Sequence, residues 1–273
     1  MKPDLVIYIL LNVIALLFFL KHLLNKNTEK QRLVVGNAQT IGKREQQEDS
    51  FATTSTENGL LAVLADGMGG YTQGKMASHT AVETFVRRFR NTGNIHPLEK
   101  FFRETVLLCN QRVLQQGKGE RSGTTLVAVV INENELYWVS VGDSAIVLFR
   151  DGELENLNKK HVFQRVLEER YLSGEISEKE LIRNPKKKRL TSYIGHEGFK
   201  DIEIYNKTIR LSPGDKVILC SDGVYNSLSE LEIEHLLAKK TSPTRIAEEI
   251  IDLIDRKDLP HQDNATLIII EYK

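Results

Sequence analysis

The sequence predicts an α+β fold in which two antiparallel β-sheets pack as a central sandwich flanked by helices, preceded by one N-terminal transmembrane helix. Three observations predict it. Short apolar runs bounded by turn residues dominate the chain, apolar stripes at helical spacing stand between them, and one uncharged apolar segment lies near the N-terminus. Hairpin-type turns such as Asn132-Glu133-Asn134 and Asp151-Gly152 separate several runs, which favours antiparallel pairing. The pattern does not give the order of the strands.

The N-terminal segment, residues 5–20, is apolar except for Asn12 and carries no charge. It is at the short edge of the roughly 17–25 residues that a membrane-spanning helix needs. A cleaved signal peptide is the alternative, but the start of the chain is barely basic and no small-residue cleavage site follows. We therefore expect an uncleaved anchor over residues 1–24.

Positive charge predicts how this anchor is oriented. Lys2 and the terminal amine precede the apolar segment, whereas Lys21, Lys26, Lys30 and Arg32 follow it. The excess on the C-terminal side predicts a single-pass membrane protein whose large C-terminal domain faces the cytoplasm. Residues 25–32 are polar and are expected to form a linker, so the folded domain is expected to span residues 33–273.

The strands and helices of that domain follow from periodicity. The apolar runs predict strands over residues 60–65, 125–131, 136–141, 145–149, 202–211, 216–220 and 266–272. Helical stripes are found over residues 75–90, 97–115 and 242–254. Groups of antiparallel strands flanked by helices favour two packed sheets with helices on their outer faces.

Charge and cysteine content exclude other classes. The chain has 37 basic and 37 acidic residues, so no overall positive charge attracts nucleic acid. The two cysteines, Cys109 and Cys220, are far apart in the sequence. We therefore expect neither a disulfide framework nor a zinc site.

Four aspartates share one local design. Asp66, Asp143 and Asp222 each end an apolar run and are followed by glycine or serine, and Asp263 precedes the last run. Oxygen ligands without histidine or cysteine suit Mg²⁺ or Mn²⁺. A single Asp-Gly pair is more often a turn, but four such sites and the pair Glu48-Asp49 together favour a metal-dependent hydrolase.

Six segments then occur in a recognisable order. They are Arg44-Glu45-Gln46-Gln47-Glu48-Asp49, Asp66-Gly67-Met68-Gly69-Gly70, Gly123-Thr124-Thr125, Gly142-Asp143-Ser144, Ser221-Asp222-Gly223 and Asp263-Asn264-Ala265-Thr266. In this order the chain resembles the PPM family, the metal-dependent 2C-type serine/threonine protein phosphatases, and its bacterial branch in particular. The resemblance covers residues 33–273.

The resemblance implies a PPM-type sandwich with a binuclear Mn²⁺ or Mg²⁺ site and a more weakly bound third ion. Asp66 would bridge the two metals and the Gly67 carbonyl would bind one of them. Asp222 and Asp263 would complete the other metal, Glu48 and Asp49 would act directly or through water, and Asp143 would help Asp222 to hold the third ion. Arg44 matches the arginine that grips the substrate phosphate, so Arg44, Asp66 and Asp222 are the expected catalytic residues.

The implied activity is hydrolysis of phosphoserine and phosphothreonine in proteins by a metal-activated water, without a phosphoenzyme. The expected partners are phosphorylated proteins and a membrane, with a serine/threonine kinase as the functional opponent and no nucleic acid. Two alternatives stay open. One is a catalytically silent module that holds phosphoproteins at the membrane, and the other is a hydrolase of small phosphate esters.

Some positions depart from the family pattern. Gln47 replaces an asparagine, Ala145 replaces an arginine, and Met68 stands where eukaryotic members carry a histidine, with His79 as the nearest other histidine candidate for a general acid. A flap is expected over residues 158–195, and its first residues, Asn158-Lys159-Lys160-His161, lack the usual acidic residue. Its basic run, residues 186–189, is either a solvated face or a surface that attracts acidic phosphoproteins or the anionic inner leaflet.

Overall fold

The structure is a computed structural model that describes residues 12–21, 33–69, 72–117, 122–199, 201–205 and 207–273. Residues 12–21 are helical with exposed side chains. Within the described part of the chain, no helix combines the length and apolar character needed to cross a membrane. The other residues of the predicted anchor, and the predicted linker, lie outside the described ranges. The structure therefore does not support the transmembrane part of the predicted fold, which stays a prediction.

Thirteen strands are found in the described residues. In chain order they are β1 (Leu33–Thr40), β2 (Ser50–Thr56), β3 (Gly59–Ala65), β4 (Gly67–Gly69), β5 (Ser122–Thr124), β6 (Leu126–Asn132), β7 (Glu135–Val141), β8 (Ala145–Arg150), β9 (Glu153–Asn156), β10 (Glu203–Ile204), β11 (Ile209–Arg210), β12 (Lys216–Cys220) and β13 (Ala265–Tyr272). One sheet has the order β1-β13-β12-β8-β9 and the other β10-β7-β6-β3-β2, with β11 also pairing β7. All of these pairings are antiparallel. Strands β4 and β5 form a separate small ladder.

Seven further helices follow the N-terminal helical segment in the part of the chain that the structure describes. They are α1 (Gln73–Asn91), α2 (Leu98–Gly117), α3 (Phe163–Leu172), α4 (Glu178–Arg183), α5 (Asp222–Ser227), α6 (Glu230–Leu237) and α7 (Pro243–Lys257). Helices α1 and α2 pack on the six-stranded sheet through one apolar cluster, and α5, α6 and α7 pack on the five-stranded sheet through another. A third cluster lies between the sheets. The predicted two-sheet sandwich flanked by helices is therefore the observed architecture.

Strand β3 shows why the central strands are continuous apolar runs. Its alternate residues Leu60, Ala62 and Leu64 face the other sheet, whereas Leu61 and Val63 face the helices. Successive side chains of a strand point to opposite sides. Because one side of β3 is covered by the other sheet and the other side by the helices, both of its faces are buried. Such a strand has no polar face, which is why periodicity alone identified it as a short apolar run.

Most predicted elements are found, with one correction. The strand predicted over residues 202–211 is wrong as a single element, because β10 and β11 pair separately with β7. Ile204 lies opposite Val139 and Ile209 opposite Leu136, so five steps along this segment match only three along β7. Strands β1, β2, β4, β5 and β9 and helices α3 to α6 were not predicted.

Candidate active site

The acidic residues singled out in the sequence meet at one end of the sandwich. Asp66 directly follows β3, Asp143 lies in the turn after β7, Asp222 opens α5 after β12, and Asp263 precedes β13. The pKa of Asp66 is raised well above its ordinary value by burial and by the charges of Asp49, Asp222, Asp143 and Asp263. These five carboxyl groups therefore form one electrostatic unit, although they come from segments far apart in the sequence.

Burial is the main reason that the carboxyl groups hold their protons strongly. It raises the pKa of Asp49 to about 6, with the hydroxyl of Ser221 opposing the rise. Ser221 Oγ donates a hydrogen bond of 2.8 Å to Asp49 Oδ2. The pKa of Asp143 is also raised to about 6, by burial and then by Asp222. Like charges in a poorly solvated place favour protonation unless a cation neutralises them.

Two carboxylate oxygens in this cluster make no hydrogen bond within the described structure. They are Glu48 Oε1 and Asp49 Oδ1, and both are buried. A buried polar atom left without a partner costs about 1–3 kcal/mol. Hard divalent cations take oxygen ligands of this type, so the donor set fits the Mn²⁺ or Mg²⁺ that the sequence implied.

Close backbone packing leaves room for the Glu48 carboxylate. A Cβ added to Gly74, in the first turn of α1, would lie 2.4 Å from Glu48 Oε1. A Cβ on Gly67 would lie 2.2 Å from the Gly74 carbonyl oxygen and 2.6 Å from the Glu48 carbonyl oxygen. Gly74 was missed in the sequence, because a glycine inside a helical stripe gives no sign of the carboxylate that approaches it.

Asn264 is a second residue whose role the sequence did not indicate. Its Nδ2 donates hydrogen bonds to the backbone carbonyls of Ile41 (2.9 Å) and Gln46 (3.0 Å), and its Oδ1 accepts one from the backbone N–H of Glu48 (2.8 Å). Asn264 is buried, so it fixes the loop between β1 and β2 from inside. The sequence did contain one sign of this role, because Asn264 directly follows Asp263 in the segment Asp263-Asn264-Ala265-Thr266.

That loop carries Arg44. Arg44 Nη2 donates a hydrogen bond of 2.5 Å to Asp263 Oδ2, and about half of the arginine side chain is exposed. A guanidinium at the edge of an acidic cluster, partly open to solvent, is suited to binding a phosphate by a forked pair of hydrogen bonds.

The positions that depart from the family pattern have local roles. Gln47 braces the loop, because its Nε2 donates to the Thr40 carbonyl (3.1 Å) and its Oε1 accepts from the Asp49 N–H (3.0 Å). Ala145 is buried in the apolar cluster beneath α5. Met68 lies in β4, and His79 is exposed on α1.

The predicted flap segment lies beside the cluster and contains α3 and α4. It is tied to the body by His161, whose N–H donates to the Gly142 carbonyl (2.8 Å) and whose Nδ1 accepts from the Gly142 N–H (3.1 Å). Lys188, from its basic run, donates a 3.4 Å hydrogen bond to Asn226 Oδ1, and Asn226 Nδ2 donates to Asp222 Oδ2 at 3.0 Å. The basic run therefore borders the acidic cluster.

The cluster is not a closed metal cage as it stands. Among the described residues, no three histidine, cysteine or acidic side chains are arranged around a single point. Instead, protein groups contact several of the carboxylates, as Arg44 does at Asp263 and Asn226 at Asp222. The ligand assignments made from the sequence accordingly stay predictions.

An antiparallel sandwich with an arginine beside buried carboxylates at one end is the arrangement of a metal-dependent phosphatase. A family model described as Protein phosphatase 2C matches residues 38–253. The chain therefore belongs to the protein phosphatase 2C family, and the prediction of a metal-dependent protein phosphatase is confirmed.

Individual relatives agree with this assignment. The protein phosphatase PhpP of Streptococcus pneumoniae is 30% identical over 216 residues, which is 77% of this chain and 85% of PhpP. A serine/threonine phosphatase of S. agalactiae has the same fold, with a TM-score of 0.79 and 24% identity over 88% of this chain and 100% of that one. The catalytic domain of the serine/threonine protein phosphatase PstP, solved in complex with 2 manganese ions, has a TM-score of 0.67 and 27% identity, covering 88% of this chain and 98% of that one.

Proposed function

We propose that this chain hydrolyses phosphoserine and phosphothreonine in proteins at a binuclear Mn²⁺ or Mg²⁺ site, without a phosphoenzyme. The observation that carries the proposal is the buried acidic cluster, with Glu48 Oε1 and Asp49 Oδ1 unpartnered among the described groups and Arg44 at its edge. Membership of the protein phosphatase 2C family and the manganese-containing PstP structure support it.

The residues that would hold the metals are those of the cluster. Asp66, the Gly67 carbonyl, Asp222 and Asp263 would hold the two ions, with Glu48 and Asp49 acting directly or through water. When bound, such ions lower the pKa of a shared water and neutralise phosphoryl charge.

The protein itself supplies binding and orientation. Arg44 would bind the phosphoryl oxygens, since its guanidinium is half-exposed and fixed at the rim by Asp263. Asn264 and Gln47 would keep the Arg44 loop in place through the hydrogen bonds described above. Met68 carries no exchangeable proton, so we propose that a water molecule gives a proton to the serine or threonine oxygen as its bond to phosphorus breaks, which releases the alcohol and leaves a hydroxide.

The cellular setting is part of the same proposal. We propose that residues 1–24 anchor the chain in a membrane, that the catalytic domain faces the cytoplasm, and that the enzyme opposes a serine/threonine kinase there. The described side chains from Val13 to Leu20 include seven exposed large apolar groups, and Lys21 follows them. Extraction of the full chain with alkaline carbonate, beside a chain beginning at Leu33, tests this: release of both into the soluble fraction would contradict the anchor.

The activity is tested with the full chain in detergent and a phosphothreonine peptide, with and without Mn²⁺. Asp222→Asn is expected to remove turnover, because it removes one of the charges that would hold the ions. Asp252→Asn changes an exposed aspartate on α7 in the same way and is expected to behave as wild type. Absence of release from folded protein at every metal concentration would instead favour a silent phosphoprotein-binding module, and turnover of p-nitrophenyl phosphate alone would favour a small-ester hydrolase.

A further inference from the structure

Lys160 places a positive charge beside the acidic cluster from the first residues of the flap. Its Nζ lies 3.2 Å from the centroid of the Tyr225 ring. Tyr225 Oη in turn donates a hydrogen bond of 3.0 Å to the backbone carbonyl of Asp143. The ammonium, the aromatic ring and the turn that carries Asp143 therefore form one contiguous arrangement.

Neighbouring acidic groups stabilise this charge in a poorly solvated position. Burial lowers the pKa of Lys160, and Cys220, Asp143, Asp222 and Glu230 oppose that change. Reciprocally, the Lys160 ammonium lowers the pKa of Asp143, which burial and Asp222 raise. The face of an aromatic ring further stabilises an ammonium that is poorly solvated.

The backbone on both sides of Lys160 is held firmly. Asn158 Nδ2 donates to Ser140 Oγ (2.8 Å) and to the Ser144 carbonyl (2.9 Å), and Asn158 Oδ1 accepts from the Ile146 N–H (2.7 Å). His161 is bound to Gly142 by the two hydrogen bonds already described. Asn158 and His161 both form hydrogen bonds with the turn between β7 and β8 that carries Asp143. The fold therefore fixes the position of the Lys160 backbone between them.

We propose that the Lys160 ammonium, held over the Tyr225 ring beside the turn that carries Asp143, is a built-in cation that takes the place of a third divalent ion. The inference rests on the proposed binuclear centre, and it concerns only the additional site beside it. The segment from Asn158 to His161 contains no carboxylate that could ligate such an ion. A fixed ammonium both neutralises Asp143 and Asp222 and repels an arriving dication.

Metal content of the full chain tests this inference without relying on turnover. Equilibrium dialysis against Mn²⁺, read by elemental analysis, is expected to give about two ions per wild-type chain. Lys160→Asp and the neutral Lys160→Met are each expected to bind one further ion, at least about tenfold more tightly than any third ion binds to wild type. Lys159→Asp is the matched control, because Lys159 is the exposed neighbour, and it is expected to keep the wild-type stoichiometry.

A second measurement uses the metal-free protein. Lys160→Met removes the positive charge beside the aspartates and leaves their mutual repulsion unopposed there. The thermal unfolding temperature of this variant at neutral pH is therefore expected to fall below that of wild type and of Lys159→Met. Mn²⁺ is expected to raise it by more than it raises wild type.

The outcomes separate the two proposals. A wild-type chain that binds a third ion as tightly as Lys160→Asp, or Lys160 variants that match Lys159→Asp in stoichiometry, would overturn the role of Lys160 and leave the binuclear centre intact. A folded wild-type chain that binds no Mn²⁺ would overturn both.

Discussion

The backbone N–H of Glu48 donates a 2.8 Å hydrogen bond to Oδ1 of Asn264, a residue 216 positions further along the chain. Through this contact the segment before the last strand holds the loop that follows the first strand. Strands β1 and β13 are paired side by side over their whole length, so the end of the first strand, Thr40, lies opposite the start of the last strand, Ala265, next to the site. The placement of Arg44 and Glu48 therefore depends on closure of the whole sheet.

Replacing Asn264 with alanine should separate this loop from the sheet. Asn264→Ala removes three hydrogen bonds and leaves part-buried backbone groups without their protein partner, so we expect the free energy of unfolding in urea to fall by about 2–3 kcal/mol. The KM for a phosphothreonine peptide should rise as well, because Arg44 loses its fixed support. Asn156→Ala, at an exposed position of β9, is the control. A destabilised Asn264→Ala enzyme with an unchanged KM would contradict the role of Asn264 in placing Arg44.

Gly74→Ala should damage the acidic cluster while the fold survives. The new methyl group would lie 2.4 Å from Glu48 Oε1, so the carboxylate has to move. We expect metal affinity and phosphatase activity to fall by about tenfold or more, as for groups that orient ligands. Circular dichroism should be unchanged, because alanine favours the helix. At Gly93 an added Cβ would meet no described atom within 4 Å, and Gly93→Ala should have wild-type affinity; equal effects of the two substitutions would rule out the steric explanation.

The metal-free protein should be more stable in mild acid than at neutral pH. The folded-state pKa values of Asp49 and Asp143 are raised to about 6, so the folded protein binds protons more tightly than the unfolded chain. Their contribution to stability is fully present below the pKa of unfolded aspartate, about 4, and is lost as the pH rises through about 6. His161 opposes this trend, because burial lowers its pKa and its contribution is lost as the pH falls.

Calorimetry measures the balance of these groups. We expect the unfolding temperature of metal-free protein to rise as the pH is lowered from about 7 to about 5. Asp49→Asn, which has no titrating group at this position, should make the unfolding temperature depend less steeply on pH. Excess Mn²⁺ should reverse the direction of the pH dependence, because metals bind the deprotonated carboxylates. A slope that is identical in wild type and Asp49→Asn would show that Asp49 is not a source of the effect.

The basic run at residues 186–189 should favour acidic substrates. Lys188 contacts Asn226, which is bonded to Asp222, so the run lies at the rim of the proposed site. Replacing all four residues with glutamine should raise the KM for an acidic phosphopeptide about three- to tenfold, less so at high salt. The kcat for a neutral peptide should stay near the wild-type value. Replacing the exposed Lys100 and Lys273 is the control, and unchanged turnover together with unchanged membrane association would leave the run as a solvated face.

Local pattern determined a large part of the fold. The central strands could be predicted because strands buried on both faces are short apolar runs, and α1, α2 and α7 because each has an apolar stripe at helical spacing. Strands β1 and β2 escaped prediction because their side chains are mostly half-buried, which blurs the alternation. The division of the predicted strand into β10 and β11 depends on how the segment pairs with β7, and the local pattern of apolar residues does not predict this pairing.

The sequence by itself predicted which aspartates meet in the acidic cluster, because each of them follows or precedes an apolar strand with small residues beside it, and because their order resembles that of a family. Tertiary structure alone decided what surrounds them. Asn264 and Glu48 meet only after β1 and β13 pair, and Gly74 matters only because α1 packs against the Glu48 carboxylate. Lys160 lies over the Tyr225 ring only because the turn between β7 and β8 holds the residues on either side of it. Contacts between residues far apart in the chain arise from packing of the whole sandwich, so the local sequence around each residue does not predict them.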